Sequence, residues 1–393
     1  MASSDDSFDI IVAGAGPVGL SFAASLAESD LKVAVVEQQA LESLAKPPFD
    51  GREIALTFAS ISILRELGAW DAIPAGHKSP VQGARVLNGS SPFALCFDPP
   101  RGSAEPLGFL VPNCRIRDAL FKIIRSHHRV QLLCGHSVVG VTNSRKGAVV
   151  KLSDGRRLTA RLFVAADSRL SRTRDLLGIA ADINRLGSSM VICRVRHERA
   201  HHQLAIEWFD HHQTIAILPL MEGESSLLLT LRANEANRLL ALDDDLFLIE
   251  LTDRCRGRLG KMTLASKRHI YPLVTTWAHS FWAPGAALIG DAAVGMHPVT
   301  AHGFNIGLCG QKQLARRILT ARGDRRDIAD PDMLHRYESC LRLSAAPLYH
   351  ATNLLVGLYS GEHAAARFAR HVGLRLAQCF PFVRHGISAM LRR

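Results

Sequence analysis

The chain has 393 residues, 47% of them hydrophobic, enough for two or three domains with buried cores. No window approaches the roughly 20 continuous apolar residues of a spanning helix, which predicts a soluble globular protein. The formal net charge is +11, but the arginines are scattered and lack interleaved aromatics, which argues against a nucleic-acid groove. Eight cysteines (Cys96, Cys114, Cys134, Cys193, Cys255, Cys309, Cys340 and Cys379) lie far apart without a Cys-x-x-Cys, so reduced thiols in the cytoplasm are expected. Met1 to Asp9 carries three aspartates and no arginine, unlike a mitochondrial presequence, and the apolar run that follows is too short for export.

In chain order, the first signal is Asp9-Ile10-Ile11-Val12-Ala13, a short β-type run feeding Gly14-Ala15-Gly16-Pro17-Val18-Gly19. A helical pattern follows from Leu20 to Ala27, and Lys32-Val33-Ala34-Val35-Val36 ends in Glu37, an acid about 20 residues beyond the glycines. In this context Gly14 permits a tight turn, Gly16 lets the backbone approach a pyrophosphate, Gly19 lets helix and strand pack closely, and Glu37 accepts ribose hydroxyls. The ligand is a dinucleotide, NAD or FAD; these residues alone leave both open.

A second strand-Asp-turn-helix pattern runs from Phe163 through Asp167 to Arg174, after an Asp154-Gly155 hairpin signal. From about Ser188 to Tyr271 the chain alternates as antiparallel strands, read as a sheet forming the far wall of a substrate pocket. Inside it, His197-Glu198-Arg199-Ala200-His201 matches the zinc-protease H-E-x-x-H, which works only on a helix. Between β-type runs the two imidazoles are expected to diverge, so no metal is assigned; His211 and His212 read as hairpin residues.

The third pattern is the one the rest of the chain is organised around, although a strand, Gly-Asp turn and helix also describe many structural βα connections. Ala286-Ala287-Leu288-Ile289 delivers Asp291 at a strand's carboxyl end, and Gly303, Asn305 and Gly307 open an amphipathic helical segment, Leu308 to Leu319. A helix N-terminus there offers N–H groups and a positive dipole end to an electron-rich ligand. The tail combines Leu354, Leu355, Val356, Leu358 and Phe368 with Arg367, Arg370, Arg375, Arg384, Arg392 and Arg393, a basic amphipathic composition suited to anionic lipid. A helical cap packed on the body is the competing reading.

Four ordered stretches together resemble the flavoprotein aromatic hydroxylases, the class A FAD-dependent monooxygenases. They are the glycine loop, Asp50-Gly51-Arg52-Glu53-Ile54-Ala55-Leu56, the Asp167 turn, and the G-D-A-A…H-P…G-x-N-x-G run from Gly290 to Gly307. Within that family the chain is similar to the ubiquinone-biosynthesis hydroxylases of the UbiH/UbiI/UbiM type. Ser168 after Asp167, Asn113-Cys114 in place of Asn-Arg, Val294 after Asp-Ala-Ala, and His302 in place of Gln lean toward the UbiM branch.

The resemblance implies an interleaved two-domain α/β fold. A Rossmann-like FAD domain would comprise 1–75, 105–180 and 270–335, a substrate sheet 76–104 and 181–269, and a helical C-terminal segment 336–393. It implies that Gly14, Gly16, Gly19 and Glu37 hold the adenosine and pyrophosphate end of FAD, with Arg52, Asn113 and Asp167 nearby. Asp291 would meet the ribityl and pyrophosphate, and Gly303, Phe304 and Asn305 would turn backbone N–H groups to the flavin carbonyl. Pro298 would lie beside the isoalloxazine, with His297 and His302 as candidates for proton handling. The implied chemistry is oxygen transfer from a flavin C4a-hydroperoxide to the ring of a prenylated phenol in ubiquinone biosynthesis. O2 and a transient donor, NAD(P)H or another reductant, would take part. The implied setting is cytoplasmic, peripheral on the inner face of the cell membrane, beside other quinone-biosynthesis proteins. A hydroxylase of another aromatic metabolite, a flavin reductase saturating isoprenoid double bonds, and a non-catalytic membrane-associated flavoprotein scaffold are the alternatives.

Overall fold

A computed structural model describes residues 6–91, 93–99, 105–210, 213–221, 223–300 and 302–360. The glycine-loop strand Ser7–Ala13 is apolar on both faces at its inner end and sits centrally in a largely parallel sheet. Its neighbours are Val33–Glu37 on one side and Arg157–Ala165 on the other, with Val130–Cys134 and Ala286–Leu288 beyond them, all parallel. Each of the three expected motifs therefore leaves the carboxyl end of a strand in one sheet. Helices Pro17–Leu26, Asn113–Arg125 and Gly303–Gly323 pack together and bury Leu20, Ile116, Leu120, Leu314 and Ile318 in this core.

A second, mostly antiparallel sheet runs Val294–Gly295, His269–Ala278, Ala181–His197, Glu224–Arg232, Gln213–Pro219, Leu204–Asp210, Gly83–Asn88, Ala94–Phe97. One face closes on helices Ala233–Ala241 and Asp244–Arg254, where alternate residues Val191, Cys193, Leu227, Leu229, Ile215, Ile217 and Trp208 meet Ala236, Leu239, Phe247 and Leu251. The other face turns toward the first core. A small sheet of Glu53–Leu56, Gly108–Pro112 and Ser79–Val81 lies between the two.

Two boundaries differ from the sequence reading. Strand His269–Ala278, expected within 270–335 on the dinucleotide side, pairs along Ala181–His197 in the second sheet, and Val294–Gly295 follows it. The reason is the unusual length of Ala181–His197: its 17 residues span from one core to the other and need a partner throughout. A single helix, Pro331–Ser360, crosses the expected start of a separate segment at 336. Its Leu334, Tyr337, Leu341, Ala345, Leu348 and Tyr349 form a buried stripe on the first core, and the Tyr337 hydroxyl donates to the Leu288 carbonyl at 2.8 Å. None of the helices in the described residues is long and apolar enough to cross a membrane.

Candidate functional site

Gly14 has φ +107°, and a Cβ there would stand 2.6 Å from the Ala166 carbonyl oxygen, so no side chain fits. At Gly19 a Cβ would lie 2.1 Å from the Gly14 carbonyl oxygen; the helix packs directly on the loop. Gly16 is different. No protein atom lies within 4 Å of its virtual Cβ, and it caps helix Pro17–Leu26, whose leading N–H groups have no acceptor within the helix. An open, small-residue cradle at a helix N-terminus fits the pyrophosphate of a dinucleotide. Glu37 shapes the same loop from beside it: Oε2 accepts from the Ala15 N–H at 2.7 Å and Oε1 from the Gln39 N–H at 2.9 Å. A carboxylate has lone pairs beyond these two, so the geometry leaves room for ribose hydroxyls.

The carboxylate of Asp167 is taken up locally. It accepts from the Ser171 hydroxyl, from Thr173 Oγ1 at 3.0 Å and from the Thr173 N–H at 3.2 Å, organising the start of helix Arg172–Leu176. The next turn supplies two residues the sequence reading did not single out. Arg169 makes a paired contact to Asp291 Oδ2, at 2.8 and 3.2 Å. The fully buried Arg174 donates to the carbonyls of Arg169 at 3.2 Å and Ala292 at 3.3 Å. The S-x-x-R spacing, with Ser171 accepting from the Arg174 N–H at 2.9 Å, was a visible signal for this stitch.

The first and third motifs meet at Val18, while the second meets the glycine loop at Gly14. A Cβ at Gly307 would meet Val18 Cγ2 at 2.8 Å, and one at Gly290 would meet Val18 Cγ1 at 3.2 Å. Only glycines allow this approach between the first helix, the Asp291 turn and the helix Gly303–Gly323. The side chain of Asn305 is committed elsewhere: Nδ2 donates to the Ala55 carbonyl at 2.8 Å and Oδ1 accepts from the Thr57 N–H at 3.1 Å, clamping the small sheet to this helix start. Gly303 and Phe304 lead the helix, and its first ladder bond is Ile306 N–H to the His302 carbonyl at 3.0 Å. His297, next to Pro298, is buried; burial, with Arg169 second, pushes its pKa down to about 4. Its Nδ1 accepts from the Val299 N–H at 3.1 Å, so the neutral ring carries its proton on Nε2. His302 is likewise buried, at the helix N-cap.

Arg52 and Asn113 meet at Asp50. Its Oδ2 accepts from Arg52 at 2.6 and 3.0 Å and from Asn113 Nδ2 at 2.8 Å, and Tyr271 donates to its carbonyl at 2.6 Å. Burial raises the Asp50 carboxyl, but Arg52 and Asn113 together outweigh it and hold it below the usual range. Arg52 remains the exposed member of this cluster.

The H-E-x-x-H pair corrects one expectation. The His197 and His201 rings do not diverge; their centroids are 5.6 Å apart. They meet because His197 ends strand Ala181–His197 and the chain turns back at His202 and Gln203, both with positive φ. Every ring nitrogen nevertheless has a protein partner: His197 reaches the Arg199 carbonyl at 2.8 Å and Ser225 Oγ at 2.9 Å, His201 the Leu220 carbonyl and the Gln203 N–H, both at 2.9 Å. The pair is a turn lock. His201→Ala is expected to cost about 1–2 kcal/mol in urea unfolding through these lost bonds, with no zinc lost on elemental analysis. His211 and His212 lie outside the described residues.

Strand order, glycine approaches and helix starts define a dinucleotide-binding flavoprotein of the aromatic hydroxylase class. The chain belongs to the FAD-binding domain family, whose model matches residues 7–350, and FAD is its cofactor. Its relatives place it more finely. It is 43% identical over 387 residues to ubiquinone hydroxylase UbiM of Neisseria meningitidis, covering 98% of this chain and 84% of that protein. It is 32% identical to ubiquinone hydroxylase UbiL of Rhodospirillum rubrum, covering 99% and 91%. Its fold matches the crystal structure of p-nitrophenol 4-monooxygenase PnpA from Pseudomonas putida with a TM-score of 0.79 at 17% identity, covering 98% and 99%.

Proposed function

We propose that this protein hydroxylates the aromatic ring of a prenylated phenol in ubiquinone biosynthesis. The observation that carries the reading is that three strand-end motifs lie side by side in one sheet, the Asp167 turn meeting the glycine loop at Gly14 and the Asp291 turn meeting its helix at Val18, in a chain 43% identical to a ubiquinone hydroxylase. FAD supplies the activation of O2, one atom of which goes to an electron-rich ring carbon. Gly14, Gly16 and Gly19, with Glu37 beside them, would hold the nucleotide end, with Asp167 shaping the adjoining turn and Arg52 and Asn113, joined at Asp50, lining the approach. Asp291, kept in place by Arg169, meets the chain between ring and phosphate. Gly303, Phe304 and Asn305 offer the helix-start backbone to the flavin carbonyl, where charge accumulates on reduction. His297 stays neutral beside Pro298, so it adds no second cation next to Arg169, and with His302 it handles protons at the ring. The apolar walls keep water from the reacting atoms. NAD(P)H or another reductant delivers electrons transiently, and 1–75, 105–180 and 270–335, less the strand noted above, act as the cofactor half.

The test is flavin content and oxygen use. Asp291→Ala should yield largely colourless protein, because it removes the partner of Arg169 and the carboxylate aimed at the cofactor; normal flavin content would sink the placement. The intact protein with reductant and a short-chain prenylphenol should consume O2 and form hydroxylated product. Turnover without oxygen would favour the isoprenoid-saturating reductase, and no turnover at all the scaffold.

An apolar substrate implies contact with a bilayer, on the inner face of the cell membrane, or delivery by another quinone-biosynthesis protein. Leu343 and Leu354 are 80% and 67% exposed on helix Pro331–Ser360, facing away from its buried stripe. The arginines from Arg367 to Arg393, and Phe368, lie outside the described residues. Since Ala345, Leu348 and Tyr349 belong to the core, the informative truncation ends at Ser360. Full-length protein should co-sediment with anionic liposomes and release with salt, at about 1 kcal/mol per arginine, while the truncated form stays in solution. Equal sedimentation of the two would leave delivery by a partner.

A further inference from the structure

The inward face of the larger sheet has an acid in its apolar middle. Ile206 and Trp208 pack toward helices Ala233–Ala241 and Asp244–Arg254, so Glu207 between them points to the opposite face. Strand register puts it in a row: Val86 and Ala216 flank Glu207, Leu228 lies beyond Ala216, and Ile192 beyond Leu228. Two residues earlier on the same face, Ala205 packs with Leu218 and Leu220 against Leu110 and Ala55. The carbonyl of Ala55 is the one Asn305 holds, so this face is turned toward the segment that leads from Pro298 to the helix start.

Glu207 is half-buried: apolar neighbours surround its stem, while its carboxylate oxygens still reach solvent. The residues beside it on this face, Ala205 and Ala216, are small. No hydrogen bond or ion pair reaches it among the described residues, and burial alone pushes its pKa up to about 8. The other charged and titratable groups of this face are engaged elsewhere. Arg194 binds Glu53 of the small sheet at 2.8 Å, Arg196 binds Glu224 at 2.9 Å, and Tyr271 donates to the Asp50 carbonyl. His269, opposite Ile192 at the far end of the row, packs on Gly51 and Phe49. A half-buried carboxyl among apolar neighbours without a protein partner costs stability, and groups perturbed in this way cluster at ligand sites.

We infer that Glu207 is the anchor for the substrate's ring hydroxyl, accepting its hydrogen bond and taking its proton, so that this wall selects a phenol bearing an apolar substituent. The inference rests on the hydroxylase reading above. In the step, the phenol O–H bond breaks, the proton passes to a carboxylate oxygen, and the electron pair stays on the phenolate oxygen, enriching the ring for attack on an electrophile. A free carboxylate titrates near 4 and a phenol near 10, so an ordinary acid is a poor base here; the raised carboxyl is better matched. The proton donor's position also fixes which ring carbon is presented.

The test uses FAD-loaded, oxidised protein titrated with 2-prenylphenol, followed by flavin absorbance between about pH 6 and about pH 9.5, around the two pKa values involved. Wild-type affinity should rise as pH passes through about 8, where the carboxyl ionises. Glu207→Gln should lose that rise and bind roughly 10- to 100-fold more weakly. Glu207→Leu should melt higher than wild type. Because the folded pKa is raised from 4.5 to about 8, the cost of ionising Glu207 is absent below the lower value and grows up to the higher one, so the melting gap should widen in that window. A purely structural acid would instead lower both stability and binding when replaced, and that result would overturn the assignment. If Glu207→Gln binds the probe with wild-type affinity and the same pH rise while wild type hydroxylates it, the assignment falls and the hydroxylase reading stands. If wild type binds the probe and consumes no O2 with it and a reductant, both fall together.

Discussion

Gly14→Ala should abolish flavin retention and cost about 3 kcal/mol in unfolding free energy, while Gly16→Ala should lose flavin at nearly unchanged stability. Two penalties act at Gly14: an L-residue at φ +107° is strained, and its Cβ would stand 2.6 Å from the Ala166 carbonyl oxygen and 2.9 Å from Asp167 Cα. Neither neighbour is a flexible side-chain end, so strand and loop must part, and the Ala15 N–H contact with Glu37 goes with them. Gly16 has φ −68°, ordinary for alanine, with no protein atom within 4 Å of the added methyl. Its methyl would fill the space assigned to the pyrophosphate. Flavin per protein after gel filtration, and urea unfolding of both apo variants, separate the effects. Normal flavin content in Gly16→Ala would mean that the open space is not where the cofactor lies.

That contrast marks how far the sequence could be read. The turn, the close packing and the open approach expected of Gly14, Gly16 and Gly19 are all visible in the loop, because glycine spacing reports backbone sterics directly. The parallel order of the strands was legible for a similar reason: Ile10 to Ala13, Val33 to Val36 and Phe163 to Ala165 are apolar on both faces, which only a covered parallel sheet tolerates. Side-chain partners were not legible. Asp167, Asn305 and Glu37 all read as cofactor contacts, yet each spends hydrogen bonds on neighbouring backbone or hydroxyl groups, and motif spacing does not distinguish a residue that touches a ligand from one that shapes its cradle. Long-range pairing was hidden as well. Nothing in His269–Ala278 announces that Ala181–His197 is long enough to claim it, and the turn at His202 that folds His201 back on His197 depends on two non-glycine residues at positive φ. Glu207 escaped notice because, in an alternating strand, a charged residue between Ile206 and Trp208 reads as the solvent face; here the small sheet packs on the same face two residues earlier, at Ala205.

Acidification should destabilise the FAD-loaded protein by about 2–3 kcal/mol between pH 7 and pH 4.5 through His297 alone, and His297→Gln should remove that share. The sign follows from the direction of the shift. Unfolded, the imidazole titrates near 6.5; folded, burial first and Arg169 second depress it to about 4. Between those values the unfolded chain binds a proton that the folded chain does not, so stability falls as pH drops from the upper value toward the lower and levels off beneath it. Protonation would also set a second cation facing Arg169, whose guanidinium is held by Asp291 and by the Val274 carbonyl at 3.1 Å. Gln is the apt replacement because its amide oxygen keeps an acceptor for the Val299 N–H and carries no titrating proton. Urea unfolding at the two pH values with excess FAD gives a four-way comparison in which all other carboxylates cancel to first order. A wild-type loss no greater than that of His297→Gln would show that the ring titrates equally in both states, and would place it in contact with water rather than sealed beside Pro298.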